Sequence, residues 1–349
     1  MIPPGKRAAQ FPRRSALRGP GVGIPQRNVF NGNMDVPLSR YAKLAWGTLA
    51  FNLLVILWGG LVRATGSGAG CGGHWPLCNG EVVPHAPAVA TLIEYSHRLT
   101  SGVALLLVAA LVVGAWRGFP RGHAVRLGAA LSGVFIITEV LVGAGLVLLE
   151  LVAYNTSAAR GYWVAGHLLN TFVLVGVLTL TAWWASGGAP VQLDQAGRRR
   201  VVILGAALGG LLILGMSGAV TALGDTLFPP TSLAAAEAET FSRTAHIFIR
   251  LRLWHPVLGV ALGFYLLAVI RSVTATCPGE LTSKLAGAVV TLYLLQLVLG
   301  AMNVWLLAPL AVQIAHLLLA DLVWIALVLF TVSALRSDVP WRGPVTLPR

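Results

Sequence analysis

Eight continuous runs of apolar residues, at roughly 42–62, 91–115, 124–148, 161–185, 200–222, 247–271, 284–307 and 312–335, set the limits on what this chain can become. Each is about 20 residues long, the length a helix needs to cross the hydrocarbon core of a bilayer. Within the runs apolar residues are continuous rather than alternating, which points to helices and away from barrel strands. A soluble domain has no use for eight such segments, and 56% hydrophobic against 11% charged residues is not a soluble composition. The expected fold is an all-α integral membrane protein with eight transmembrane helices.

A net charge of +13 would suggest nucleic acid in a soluble protein, but here its placement decides otherwise. With the N-terminus in the cytoplasm, most of the 25 Lys and Arg residues fall on inside segments. They include Arg13, Arg14, Arg40, Lys43, Arg117, Arg121, Arg126, Arg198–Arg200, Arg271, Lys284 and Arg336. The acids Glu81, Glu150, Asp225, Glu237 and Glu239 fall outside. This bias sets orientation in a bilayer. A multi-pass protein of the cell membrane with both termini cytoplasmic is expected, and no nucleic-acid partner. Residues 1–40 are rich in Arg, Pro and Gly and have no apolar core, so they read as a disordered basic tail near anionic lipid, not a signal peptide. Residues 336–349 read as a second cytoplasmic tail.

Cysteine use follows the same map. Cys71 and Cys78 lie seven apart in the first outside loop, 63–90, where an oxidising compartment lets them close a disulfide; the alternative is two free thiols. Cys277 stands alone in an inside loop and reads as an inert thiol.

The chain repeats itself. "GLVRATG" (60–66) lies against "GAVTALG" (218–224) at an offset of 158, and the same offset carries His97 to His255. "EVLVGAGLV" (139–147) lies against "QLVLGAMNV" (296–304) at 157, and His167 meets His316 at 149, a shorter loop absorbing the difference. Two pseudo-symmetric four-helix bundles are expected, spanning 41–185 and 200–335 and joined by a cytoplasmic linker at 186–199.

His97, His167, His255 and His316 each fall near the start of an even-numbered span, at a similar depth below the outer surface. The remaining four, His74, His85, His123 and His246, lie in loops or just outside a span and read as interfacial. A lone intramembrane histidine is commonly a helix–helix hydrogen bond. Two per repeat at one level suit the axial ligands of a haem in a bundle core. Structural hydrogen bonding and another metal are the alternatives, though zinc would want more ligands than the sequence offers. Gly102, Gly166 and Gly259 lie close by in sequence and would let a macrocycle approach the backbone.

Glu94 stands three residues before His97, on the same helix face, while the 158 offset puts Arg252 at its counterpart. An ionisable group at this depth is costly. It is either an ion pair with Arg63 or Arg98 at headgroup level or a catalytic carboxylate. Glu139 and Asp321 are further intramembrane acids, read as buried hydrogen-bonding groups with a proton path as the alternative.

"GGLVRATGSGAGCGGHWPLCNG" (59–80), followed by "EYSHR" (94–98), resembles the haem A synthase family, and the resemblance runs over roughly 42–335. It implies a membrane oxidoreductase that converts haem O to haem A for cytochrome oxidase, turning the C8 methyl into a formyl group by successive hydroxylations. It implies that His97 and His167 hold the substrate haem, that His255 and His316 hold a haem b cofactor, and that Glu94 acts at the substrate. Cys71 and Cys78 would be a redox-active or loop-fixing pair, and Arg63, Arg98, Arg250 and Arg252 would serve propionates or ion pairs. Implied partners are haem O, the lipid bilayer, an electron donor and a haem O synthase. The chain departs from the family at His255-Pro256, where many members place an arginine after the histidine, and it has no second outer cysteine pair. Proline there should kink the helix near Arg252. Two other activities are compatible with parts of the pattern. A di-haem b electron-transfer protein leaves Glu94 unexplained; a thiol–disulfide oxidoreductase leaves the histidines unexplained.

Overall fold

The computed structural model describes residues 38–336, apart from 192 and 194–196. The tails expected at 1–40 and 336–349 therefore lie almost wholly outside the described residues, as does the middle of the linker. Ten α-helices follow in order: α1 (Arg40–Ala64), α2 (Val89–Gly118), α3 (Ala124–Leu148), α4 (Ala158–Ala185), α5 (Arg198–Leu227), α6 (Leu233–Phe241), α7 (Ile247–Arg250), α8 (Trp254–Thr276), α9 (Glu280–Trp305) and α10 (Leu310–Leu335). Among the described residues eight spans are long and apolar enough to cross a membrane, with α7 and α8 together forming the sixth, Ile247–Thr276. Among the described residues there is no strand, only isolated bridges such as Cys78 with Glu81.

Serine starts several helices. The side chains of Ser39, Ser157 and Ser232 accept hydrogen bonds from the backbone N–H groups of Ala42, Arg160 and Ala235, satisfying donors that a helix N-terminus leaves free. Ser232 opens α6, a nine-residue helix in the loop after α5 that the apolar pattern did not indicate. The sixth span breaks where proline predicts. Residues 251–253 form turns between α7 and α8, and Pro256 sits in the first turn of α8, where its missing N–H costs least.

Packing follows the repeat. In the N-terminal half α1 touches α2, α2 touches α3, α3 touches α4 and α4 returns to α1. In the C-terminal half α5, α8, α9 and α10 close a ring in the same order. Between the halves α1 meets α5 and α10, and α4 meets α5 and α10, the set of contacts that one two-fold axis generates. In the apolar stretches of α4 and α10, 50% and 61% of the residues are buried inside the protein, against 28% or less in the other spans, so these two helices form the centre of the molecule. There Phe172 stacks on Trp324 with ring centroids 5.7 Å apart, and Trp324 Nε1 donates to the Phe172 carbonyl at 2.6 Å. Glycine lets the backbones close up, as usual between membrane helices. A Cβ at Gly60 would stand 2.8 Å from Leu317 across the halves, and one at Gly176 would stand 3.2 Å from Trp324.

Candidate haem-binding sites

Each of the four intramembrane histidines packs against a glycine on the long helix that precedes its own. A Cβ at Gly59 of α1 would lie 3.2 Å from the His97 ring, and one at Gly218 of α5 would lie 2.8 Å from His255. One at Gly300 of α9 would lie 3.3 Å from His316, and one at Gly143 of α3 would lie 4.0 Å from His167. Gly59, Gly143 and Gly300 each stand five residues before the end of their helix, roughly 7–8 Å along its axis. The repeat aligned Gly60 with Gly218, but Gly59 faces the imidazole and Gly60 serves the contact between halves. Gly102 and Gly166 have open space beside them, and Gly259 faces Leu297 and Leu214.

Within each half the two imidazoles come together. The rings of His255 and His316 have centroids 6.4 Å apart and planes at 79°. His97 and His167 lie close enough to interact electrostatically. The ring nitrogens are backed unequally. Ser217 Oγ is 2.9 Å from His255 Nδ1, and Gln296 Nε2 is 3.2 Å from His316 Nε2. Glu139 Oε1 approaches His167 Nδ1 at 3.3 Å, close enough for strong electrostatic coupling but poorly directed for a hydrogen bond. Nδ1 of His97, His167 and His316 is buried and makes no hydrogen bond among the described residues.

These arrangements fit a metal held between two facing imidazoles. Two metal–nitrogen bonds of about 2 Å each leave the rest of the 6.4 Å separation to the rings themselves. Among the described residues no group of three or more His, Cys, Asp or Glu side chains converges, so neither half offers the fuller ligand set of a zinc site. The glycines hold open the space an imidazole occupies.

Above the first pair, Cys71 and Cys78 are joined in a disulfide. Glu94, 3% exposed, ties this loop to α2: the Cys71 N–H donates to its Oε2 at 2.8 Å, and Arg98 donates to its Oε1. Arg98 also donates to the carbonyls of His74 and Leu77, both at 2.7 Å, so one guanidinium clamps the loop and the carboxylate together. Thr91 Oγ1 donates to the Gly70 carbonyl nearby. At the loop's exposed edge, the His85 ring and N–H bonded to Glu81 hold that carboxyl below its ordinary value.

The other expected arginines go elsewhere. Arg63 does not meet Glu94. Its guanidinium crosses to the C-terminal half and donates to the Ala222 carbonyl and Thr226 Oγ1, both at 2.7 Å, and to Gln313 Oε1 at 2.8 Å. Arg252 pairs with Asp225 of α5 at 2.7 Å and donates to the carbonyls of Gly224 and Phe228. Arg250 is exposed. Asp321 corrects an expectation: it is fully buried, but neither carboxylate oxygen has a hydrogen-bond partner among the described residues. Sequence reasoning also missed Arg160, buried in the first turn of α4, which donates to the carbonyls of Ala153 and Asn155 and fixes the loop before it.

A segment of 298 residues is 50% identical to protoheme IX farnesyltransferases of two Thermus thermophilus strains, covering 85% of this chain and 49% of each relative. Over 112 residues the chain is 45% identical to the heme A synthase of Bacillus mycoides and 44% identical to those of Bacillus cereus strains, covering 32% of this chain and 36% of each relative. It thus spans about half the length of the Thermus relatives and about a third of the Bacillus ones in these matches. The profile of one family, described as cytochrome oxidase assembly protein, matches residues 42–328, which take in all four histidines, Glu94 and the cysteine pair. With eight apolar spans and these residues inside the match, the chain is a multi-pass membrane protein that belongs to the COX15-CtaA family.

Proposed function

We propose that this chain is a haem A synthase, an oxidoreductase that converts the C8 methyl of haem O to a formyl group by successive hydroxylations, the resulting gem-diol losing water. The observation that carries this reading is the pair of facing imidazoles in each half, with a disulfide loop anchored on Glu94 over the first pair alone. Relatives named heme A synthase support the reaction.

His97 and His167 hold the substrate haem, and His255 and His316 hold a haem b. That second haem, when bound, supplies one-electron redox chemistry. The chain's own part is binding and placement. Ser217 fixes the tautomer and rotation of His255, as outer partners of metal ligands do, and Gln296 contacts His316. Glu94 acts at the substrate side from an anchored position one turn before His97, and Arg98 steadies it while holding the loop as a cover over the site. A cleft of about 500 Å³ between α3 and α4, lined by Phe135, Val142, Trp163, Gly166 and Asn170, opens beside His167 and gives an apolar isoprenoid tail a place to lie. Both termini lie on the cytoplasmic side of the cell membrane, and the disulfide faces out. A haem O synthase supplies the substrate: relatives named for farnesyl transfer to protohaem contain a segment 50% identical to this chain.

Expression with and without a haem O synthase, in a host lacking haem A, tests the reading by extraction and identification of haems. Haem A or a hydroxylated precursor appears only when haem O is supplied. Haem b alone in both cultures, with a bis-histidine spectrum, would reduce the chain to an electron carrier. Glu94→Gln keeps the side chain's shape but has one acceptor for the two donors Arg98 and Cys71 N–H, and it lowers turnover about tenfold or more with haem content unchanged.

A further inference from the structure

We propose that Glu139 is a positioning residue that strengthens electron donation by His167, so that the two haem sites of this chain have unequal potentials by construction. The proposal rests on the assignment of His167 as an axial ligand made above, and it concerns a residue on a different helix.

The carboxylate is held in place. Oε1 lies 3.3 Å from His167 Nδ1 and 2.5 Å from Thr171 Oγ1, and Asn170 Nδ2 donates to Oε2 at 2.6 Å. Asn170 is itself fixed, donating to the Phe135 carbonyl at 2.9 Å and accepting from Thr138 Oγ1 at 2.6 Å. Asn170 and Thr171 are three and four residues after His167, so the imidazole and both clamps share one face of α4. This is a network in which every polar partner of Glu139 either belongs to the histidine or comes from the turn after it.

The second half has the same construction with the charge removed. Gln296 occupies the position of Glu139 in the repeat and sits 3.2 Å from Nε2 of His316, which leaves the buried Nδ1 of that ring as its free nitrogen among the described residues. One turn further on, Gly143 and Gly300 face the same two rings. Contact partner, glycine and histidine therefore recur in both halves, the partner being a carboxylate at Nδ1 of His167 and an amide at Nε2 of His316. A carboxylate beside the non-ligating nitrogen of a metal-bound imidazole makes the other nitrogen a stronger donor. A stronger axial donor stabilises ferric over ferrous iron and lowers the reduction potential. Nothing offsets this from the opposite face, since His97 Nδ1 has no hydrogen-bond partner among the described residues. The first-half iron is thus set below the second.

Potentiometric titration of the haem-loaded full chain, followed by absorbance, tests this. His167→Ala identifies the first-half transition by removing or altering it. Glu139→Gln, which installs the amide of the second half, moves that transition to higher potential and leaves haem content and the other transition unchanged. Gln296→Glu moves the second-half transition to lower potential. Haem retained in both variants with neither transition displaced would overturn the proposal and leave Glu139 a packing residue. A His167→Ala protein with unaltered transitions would remove the first-half haem assignment itself, a distinguishable failure. If Glu139→Gln loses haem, Gln296→Glu decides alone: a downward shift supports the proposal and an unmoved potential rejects it.

Discussion

At Gly218 one methyl group separates a site that admits its histidine from one that does not. The ring of His255 comes so close to α5 that an added Cβ would stand 2.8 Å from Cε1, and the ring cannot retreat without leaving Ser217. Gly218→Ala should cost about 1–3 kcal/mol through overpacking and should lose the second-half haem. Gly143→Ala is the control, because the nearest atoms of His167 stand 4.0 Å from the new Cβ, an ordinary contact. Haem content per chain and the thermal midpoint of both variants check this; equal retention of haem would sink it. The residue scale also marks how far the sequence could be read. Four histidines at recurring offsets were legible because spacing along a helix converts directly into depth. Glu139 and Gln296 were aligned by the repeat, yet their contacts with His167 and His316 were not legible, because those partners lie on the next helix. For the same reason Gly60 looked like the counterpart of Gly218, although Gly59 meets the imidazole.

Among the elements, the cysteine loop depends most on its cross-link. Residues 65–88 contain one short 3-10 turn, Ser67–Ala69, and are otherwise held by the disulfide, the Arg98 clamp and the Cys71 N–H on Glu94. Removing a cross-link between cysteines seven apart costs about 2–3 kcal/mol in the loop-entropy account. Cys71→Ala with Cys78→Ala should therefore make this loop sensitive to limited proteolysis and lower turnover, while the spectrum of the second-half haem stays as it was. The proposed second-half site is insulated because His255, His316, Ser217 and Gln296 lie on α8, α10, α5 and α9, away from the loop. Full turnover in the double variant would show the pair to be dispensable. Elements themselves were legible wherever an apolar run met a polar boundary, and the break at Pro256 was legible from proline's missing donor. Helix α6 was not, since its alternation of alanine and glutamate carries no apolar face to signal it.

For the whole molecule, the question is what makes two repeated bundles behave as one protein. The interface is largely apolar, and lipid competes well for apolar surface, so packing alone gives little directional preference. Arg63 supplies one. From the last turn of α1 it reaches Ala222 and Thr226 on α5 and Gln313 on α10, three acceptors in the other half met by one planar fork. Charged hydrogen bonds of this kind contribute roughly 1.5–3 kcal/mol, and removing this one guanidinium takes the donor from three part-buried acceptors at once. Arg63→Met should then cost about 2–4 kcal/mol and lower the melting midpoint in detergent, with both haems still bound at room temperature because no histidine loses a contact. Arg63→Lys should fall between, since one ammonium keeps the charge but cannot serve three separated acceptors. Arg250→Met, at an exposed position on α7, should melt like the parent protein. If Arg63→Met melted with Arg250→Met, the halves would be held by packing alone. A lowered midpoint with intact haem spectra would show that this arginine, expected to serve a propionate or Glu94, instead joins the two bundles.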